Sequence, residues 1–360
     1  MKPWKAKNRC TVLQRAIMAE LLLMGMTIAA CINGAHIKTK KETETVIETT
    51  ADIENKKEFI KWVEFHVTQE AMDRALQYDL ASHCTDRPIE WITLLAYAGC
   101  RTGGEFGKKS LGYIDTAAQA LAEGQTIQEL TENLQYFDYY HEAYTAVLGG
   151  FVGEYRIVDE NGQEQNCYGV KVFSPIAGGF DYSDYDDFGS ARSYGYSRPH
   201  LGHDMLGLIG TPVVAIESGY VEALGWNQYG GWRIGIRSFD HKRYYYYAHL
   251  RQNYPYAEGL SEGSVVTAGD VIGYMGHTGY SVNENVNNIE TVHLHWGMEL
   301  IFDESQKDSN NEIWIDCYEL TKFLNSYRSN VRKIGDTREW ERTQSMTDPA
   351  VEAYREEHGE

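Results

Sequence analysis

His293-Leu-His-Trp-Gly-Met-Glu-Leu300 is the stretch on which the fold turns. Side chains in a β-strand alternate, so residues two apart point the same way. His293, His295, Gly297 and Glu299 then share one face, and Leu294, Trp296, Met298 and Leu300 share the other. The second face is wholly apolar and suits a core. The first projects two imidazoles together from a rigid strand, a ready-made metal or acid–base pair. Similar short runs punctuated by glycine occur at 170–172, 213–216, 220–224, 233–236, 244–250, 265–266 and 271–273. Short strands at this spacing predict an all-β sandwich or open barrel. The same alternation puts Tyr245, Tyr247 and His249 on one face of their strand and Tyr244, Tyr246, Ala248 and Leu250 on the other.

The β texture begins near Phe151, and the region before it reads as helical. Val67, Ala71, Met72, Ala75, Leu76 and Leu80 recur at helical spacing. Pro88 stands where a second helix begins, with Trp91, Leu94, Leu95 and Ala98 on one face. Thr126-x-x-Glu129 is a capping box. It opens a helix whose buried stripe is Ile127, Leu130, Leu134 and Phe137 and which ends at Gly149-Gly150. The expected class is therefore α+β and multidomain: a helical domain at 58–150, then a mostly antiparallel β domain at 151–305. Residues 306–360 are expected to hold a closing helix and a charged, solvated tail.

The first thirty residues differ from the rest. Lys2, Lys5, Lys7, Arg9 and Arg15 precede an apolar run from Leu21 to Ala30, interrupted upstream by Glu20. Ile28-Ala29-Ala30-Cys31 has the form of a bacterial lipobox, with Cys31 as the lipidated residue. Residues 1–31 thus read as an export signal or membrane anchor, and 32–57, rich in Thr, Lys and Glu, as a linker. That places the chain outside the cytoplasm, in the cell envelope. Export permits disulfides, and among Cys84, Cys100, Cys167 and Cys317 the first two are nearest in sequence. No C-x-x-C occurs, which argues against a cysteine-bound metal. The formal charge of −19 repels nucleic acid and anionic lipid headgroups, so neither is expected as a partner.

The chemistry concentrates in three segments: His200-Leu-Gly-His-Asp204, Tyr247-Ala-His249-Leu250 and His293-Leu-His295. A catalytic zinc takes three protein ligands and leaves a fourth position open. His200, Asp204 and one histidine of the final pair would supply two neutral nitrogens and a carboxylate, with His203 as a looser substitute for His200. Zinc lowers the pKa of bound water to roughly 7. The remaining histidines are then free to move protons and hold an oxyanion. His66, His83 and His141 in the helical region read as ordinary histidines. His141-Glu142 lacks the second histidine of a helical H-E-x-x-H site, since Thr145 stands there.

Over roughly 170–302 the order of these segments, with Phe188-Gly-Ser-Ala-Arg192, Thr211-Pro-Val, Gly219-Tyr-Val, Val271-Ile-Gly and Gly276-His-Thr-Gly279 between them, resembles the M23 (lysostaphin/LytM-like) zinc metallopeptidases. The resemblance implies a single Zn2+ held by His200, Asp204 and His295, with His249 and His293 catalytic. It implies an antiparallel β fold with an open groove and hydrolysis of peptide bonds in bacterial peptidoglycan. Residues 280–292 are longer and richer in Asn than the family pattern, so one groove wall should be reshaped. His277 reads as a loop residue. The competing reading is a non-catalytic envelope protein that binds peptidoglycan or activates another hydrolase. A further one gives the Tyr-rich helical domain a role in docking a protein partner.

Overall fold

The structure is a computed structural model and describes residues 59–158, 162–194, 196–307 and 311–359. The expected signal, lipobox cysteine Cys31 and linker lie outside these residues. Among the described residues no helix is long and apolar enough to cross a membrane.

The helical region contains α1 (Gln69–Ser82), α2 (Trp91–Thr102), α3 (Lys108–Glu123), α4 (Ile127–Thr131) and α5 (Phe137–Leu148). Helix α2 is buried along most of its length, from Trp91 and Ile92 through Leu94 to Gly99. A helix apolar on so many sides must be surrounded, and α1, α3 and α5 all pack on it. Gly99 lets Tyr144 of α5 come close, because a Cβ there would stand 2.7 Å from the Tyr144 hydroxyl.

Two details of the helical reading change. Leu80 is 43% exposed, and Asp79 turns inward instead. Asp79 Oδ2 accepts from Trp91 N at the start of α2, and Oδ1 accepts from the Tyr168 hydroxyl at 2.7 Å, so the buried carboxylate caps one helix and ties it to a strand. The helix expected from Thr126 to Gly149 is broken. The capping box forms, with Thr126 Oγ1 accepting from Glu129 N, but α4 lasts five residues and buries none. Asn133 to Tyr136 lie between it and α5.

A β-hairpin follows, β1 (Val152–Val158) with β2 (Glu164–Val170). The central sheet is built from β5 (His203–Leu206), β7 (Gly219–Asn227), β8 (Gly231–Ser238), β9 (Arg243–Ala248), β10 (Val265–Val266), β12 (His293–Leu300) and β13 (Ile313–Trp314). Its order is β10-β7-β8-β9-β12-β13, with β5 also on β12, and every pairing in it is antiparallel. Beside it lie β3 (Ala191–Tyr194) with β4 (Tyr196–Pro199), and β6 (Pro212–Val214) with β11 (Val271–Tyr274). Leu294, Trp296, Met298 and Leu300 are fully buried, as the alternation of β12 requires.

Helices and sheet form one compact unit over 58–360. One apolar cluster runs from Val63 through α2 and the sheet to Leu324 of α6 (Tyr318–Leu324), where Phe323 stacks on Trp91. A buried charge network reinforces the join. Arg243 on β9 is 1% exposed; it donates to both oxygens of Glu217, to Asp240 and to the Ala146 carbonyl of α5. Tyr245 donates to the same Glu217 at 2.6 Å.

The C-terminal segment is woven into the fold rather than solvated. After β14 (Val331–Lys333) and β15 (Trp340–Arg342), β16 (Ser345–Thr347) adds to β1 and buries Met346. Helix α7 (Pro349–His358) buries Val351, and its Tyr354 stacks on Tyr220. The charges that suggested a tail line the outer faces of these elements. The four cysteines in the described residues are free.

Candidate metal centre and catalytic groove

Register places the first pair of site residues. β5 and β12 are antiparallel with His295 directly opposite Asp204, and such cross-strand neighbours have Cβ atoms within about 5.5 Å. His200, just past β4, is pinned by backbone bonds to Ser190 and Gly189. Gly202 leaves room for the His295 ring, since a Cβ there would stand 2.6 Å from it.

His200 Nε2 lies 3.0 Å from Asp204 Oδ1 and 2.9 Å from His295 Nδ1, and His295 Nδ1 lies 3.0 Å from the same carboxylate oxygen. Three potential ligand atoms thus form a near-equilateral triangle. Zinc bonds of 2.0–2.1 Å at tetrahedral angles separate ligand atoms by about 3.3 Å, so this triangle needs to widen by only a few tenths of an ångström. Two imidazoles and a carboxylate are a donor set zinc accepts, and the residues fit the ion. The other nitrogen of His200, Nδ1, hydrogen-bonds the Asp187 carbonyl at 3.4 Å with the Asp187 carboxylate 3.1 Å away, which turns Nε2 toward the triangle.

The electrostatics keep Asp204 and His295 in the ligand-competent state. Burial acts to raise Asp204, but hydrogen bonds with His200 and His295 overcome it and hold the carboxyl far below the usual range. Burial pushes His295 down, and the nearby His200 and His293 add to this against the pull of Asp204.

His249 and His293 stand beside the triangle with ring centroids 4.7 Å apart, and His249 is 5.9 Å from His295. His249 Nδ1 donates to the Thr278 carbonyl at 2.9 Å, and His293 Nδ1 to the Thr291 carbonyl at 2.9 Å. A carbonyl accepts only from N–H, so each ring carries its lone pair on Nε2. His293 Nε2 lies 3.7 Å from Asp204 Oδ1. Burial, then the neighbouring His293 and His295, push His249 well below the ordinary histidine range.

Simple alternation gives the wrong neighbours for His249. Tyr245 and Tyr247 point into the core, whereas Tyr244, Tyr246 and Ala248 line the groove. His249 joins the groove set because β9 ends at Ala248 and His249 turns out with φ of +60°. A left-handed conformation at a non-glycine residue is strain of the kind found at functional sites. His203 is not part of the cluster: its Nε2 hydrogen-bonds Asp184 at 2.9 Å. His277 bonds the Ile289 carbonyl within its loop.

The groove encloses about 530 Å³ and runs from the histidines past Tyr246 and Tyr244 to Glu299 and Trp314. Of the Asn-rich segment 280–292 only Tyr280 lines it, and the segment is held by Asn285, which accepts from Trp232 Nε1 and Asn253 N. Sequence reasoning missed Arg192, which donates to Asp187 and, at 3.1 Å, to the outer oxygen of Asp204. It also missed Arg198, whose guanidinium lies over Tyr229 and Tyr280. Both sit on the β3–β4 hairpin; Arg192 closes the Phe188–Arg192 segment quoted above, but the sequence assigned no contact to it and no motif to Arg198.

Residues 198–309 match the sequence model of peptidase family M23, and the chain therefore carries a domain of that family, which encloses all five histidine and aspartate positions described above. The L-Ala–D-Glu endopeptidase of Bacillus subtilis is 42% identical over 118 residues, 33% of this chain and 35% of that protein. Lysostaphin of Staphylococcus staphylolyticus is 41% identical over 83 residues, 23% of this chain and 16% of that protein. The chain thus spans about a third or less of the length of these relatives. Among solved structures, one from Ruminococcus gnavus, provisionally assigned as the glycyl-glycine endopeptidase LytM, is 26% identical with a TM-score of 0.49, over 74% of this chain and 91% of its own. The lysostaphin catalytic domain of Staphylococcus simulans is 30% identical with a TM-score of 0.31, over 39% and 92%.

Proposed function

We propose that this protein is a zinc-dependent endopeptidase acting on bacterial peptidoglycan. The observation that carries the reading is the triangle of His200, Asp204 and His295 with two further histidines beside it in an open groove. The relatives named L-Ala–D-Glu endopeptidase and glycyl-glycine endopeptidase support a peptide-bond substrate of this kind.

His200, Asp204 and His295 would hold the metal. When bound, zinc supplies Lewis acidity, polarising a carbonyl and acidifying water to roughly pKa 7. The chain's own residues do the rest. Burial and the neighbouring histidines push His249 well below the ordinary histidine range, and His249 and His293, each donating through Nδ1 to a carbonyl, leave their Nε2 atoms to face the groove. One can take a proton from the attacking water, and the other can steady the developing oxyanion or return a proton to the leaving amine. The groove floor orients an extended peptide: Gly230 and Gly235 leave space for the hydroxyls of Tyr246 and Tyr244, which a Cβ at either position would strike. The basic N-terminus and Ile-Ala-Ala-Cys31 support export and attachment to the envelope membrane. Zinc analysis of the purified protein, with release of new peptide termini from cell wall, tests the reading. Replacement of Cys31 by Ala, followed by fractionation, tests the anchor: release from the membrane is expected.

A further inference from the structure

The groove does not end at the histidines. β12 carries His295, Gly297 and Glu299 on one face, and Gly297 leaves the floor bare between the other two. A Cβ at Gly297 would stand 2.9 Å from the Trp314 ring, so the opening depends on glycine. Glu299 lines the far end, is 5% exposed, and its Oε1 has no hydrogen-bond partner among the described residues.

No ion pair among the described residues reaches it. Glu222 comes from β7, Arg233 and Arg237 from β8, Glu304 and Lys307 from the turn after β12, and Glu312 from just before β13. Arg237 pairs with Glu304 at 2.6 Å and with Glu222 at 3.5 Å, and Lys307 pairs with Glu222. Three acids and three bases thus stand around Glu299, and Arg233 Nε and Arg237 Nε and Nη1 also lack hydrogen-bond partners among the described residues, yet none of these groups forms an ion pair with Glu299. A buried carboxyl without a counter-ion holds its proton: burial, then the adjacent Glu312, raise Glu299 to about 8. What Glu299 lacks is a cation in direct contact with it.

We propose that Glu299 forms a subsite for a primary ammonium group of the substrate peptide, about 13 Å along the groove from His295 at roughly 3.3 Å per strand residue. The inference rests on the endopeptidase reading above. An extended peptide advances about 3.3–3.6 Å per residue, and a four-carbon amine side chain reaches roughly 6 Å more by ordinary bond lengths. The ammonium then belongs to a diamino acid about two residues from the bond cut. On entry the ammonium takes the place of the proton that Glu299 holds, which passes to solvent, and pairs with the resulting carboxylate.

The test uses the full chain and three peptides: a lysine-containing peptidoglycan stem peptide, the same peptide acetylated at its side-chain amine, and the same peptide acetylated at its amino terminus. Binding is measured by calorimetry and cleavage by chromatography. The wild type is expected to bind the side-chain-acetylated peptide at least tenfold more weakly than the other two. In Glu299→Gln, which keeps the shape of the side chain, that preference should vanish. If instead amino-terminal acetylation carries the loss, and Glu299→Gln removes it, the ammonium is the chain end and the subsite stands. Equal binding of all three peptides by the wild type overturns the proposal, as does a preference that survives in Glu299→Gln. Amine-selective binding without any cleavage would leave the subsite in place and sink the endopeptidase reading.

Discussion

His249 shows how a single backbone angle assembles this site. With a strand-like φ its ring would follow Tyr245 and Tyr247 into the core; at +60° it faces His293 instead. Its role predicts a separation between variants. His295→Ala removes a member of the ligand triangle, so zinc affinity and hydrolysis should fall together. His249→Ala leaves the triangle intact and should retain zinc and fold while losing about a hundredfold or more in rate, the scale of a proton-transfer group. His293→Ala should behave like His249→Ala. Metal titration beside wall hydrolysis on each purified variant checks this; zinc loss in His293→Ala with retention in His295→Ala would reverse the assignment.

The residues of the cluster were legible because the chemistry is local: H-x-x-x-D and H-x-H each fix a spacing, and a two-residue period says which side chains share a face. The outward turn of His249, and the roles of Arg192 and Asp187, were not, because they depend on where a strand stops and on contacts between separate segments. Glu299 was readable as a groove-face residue, yet its lack of a partner emerges only when three other elements are in place. Its raised pKa has a consequence for stability. A carboxyl that titrates near 4.5 unfolded and at about 8 folded favours the unfolded state progressively as pH rises through that window. Below it the group is protonated in both states and the penalty is absent. Wild type should therefore lose stability relative to Glu299→Gln between roughly pH 4.5 and 8, as read by denaturant midpoints across that range.

At the scale of elements, sheet periodicity was the more dependable guide and helix extent the less. β12 matches its expected bounds, residue for residue, because one face is uniformly apolar. The long helix expected after Thr126 stops at Thr131; Leu130, Leu134 and Phe137 still pack partly buried against the core, but from a short helix, a turn and the start of α5 rather than from one continuous stripe. The join between α5 and the sheet rests on Arg243 and Glu217, which no local pattern reveals, 26 residues apart. Glu217→Ala would strand the buried Arg243 with only Asp240 and a carbonyl. It should cost about 3–5 kcal/mol, the range for breaking a buried pair from one side. Urea unfolding of the variant measures it, and a loss under 1 kcal/mol would mean that solvent reaches Arg243.

At the scale of the molecule, helices, sheet and C-terminal segment act as one body. A chain ending at Gln344 would lack the strand that covers β1, the buried side chains Met346 and Val351, and the ion pair between Asp348 and Lys171. Two apolar side chains alone contribute about 3–6 kcal/mol, so the shortened chain should melt several degrees lower in a thermal scan; an unchanged melting temperature would return the segment to the status of a tail. The central claim is that the triangle and its flanking histidines cut peptide bonds in the cell wall. The most direct test is to incubate the zinc-loaded protein with purified peptidoglycan and identify the released termini by mass spectrometry. New amino termini from one defined peptide bond, absent with His295→Ala, are the predicted result. Intact peptides with the wild type, or the same termini with His295→Ala, would contradict it.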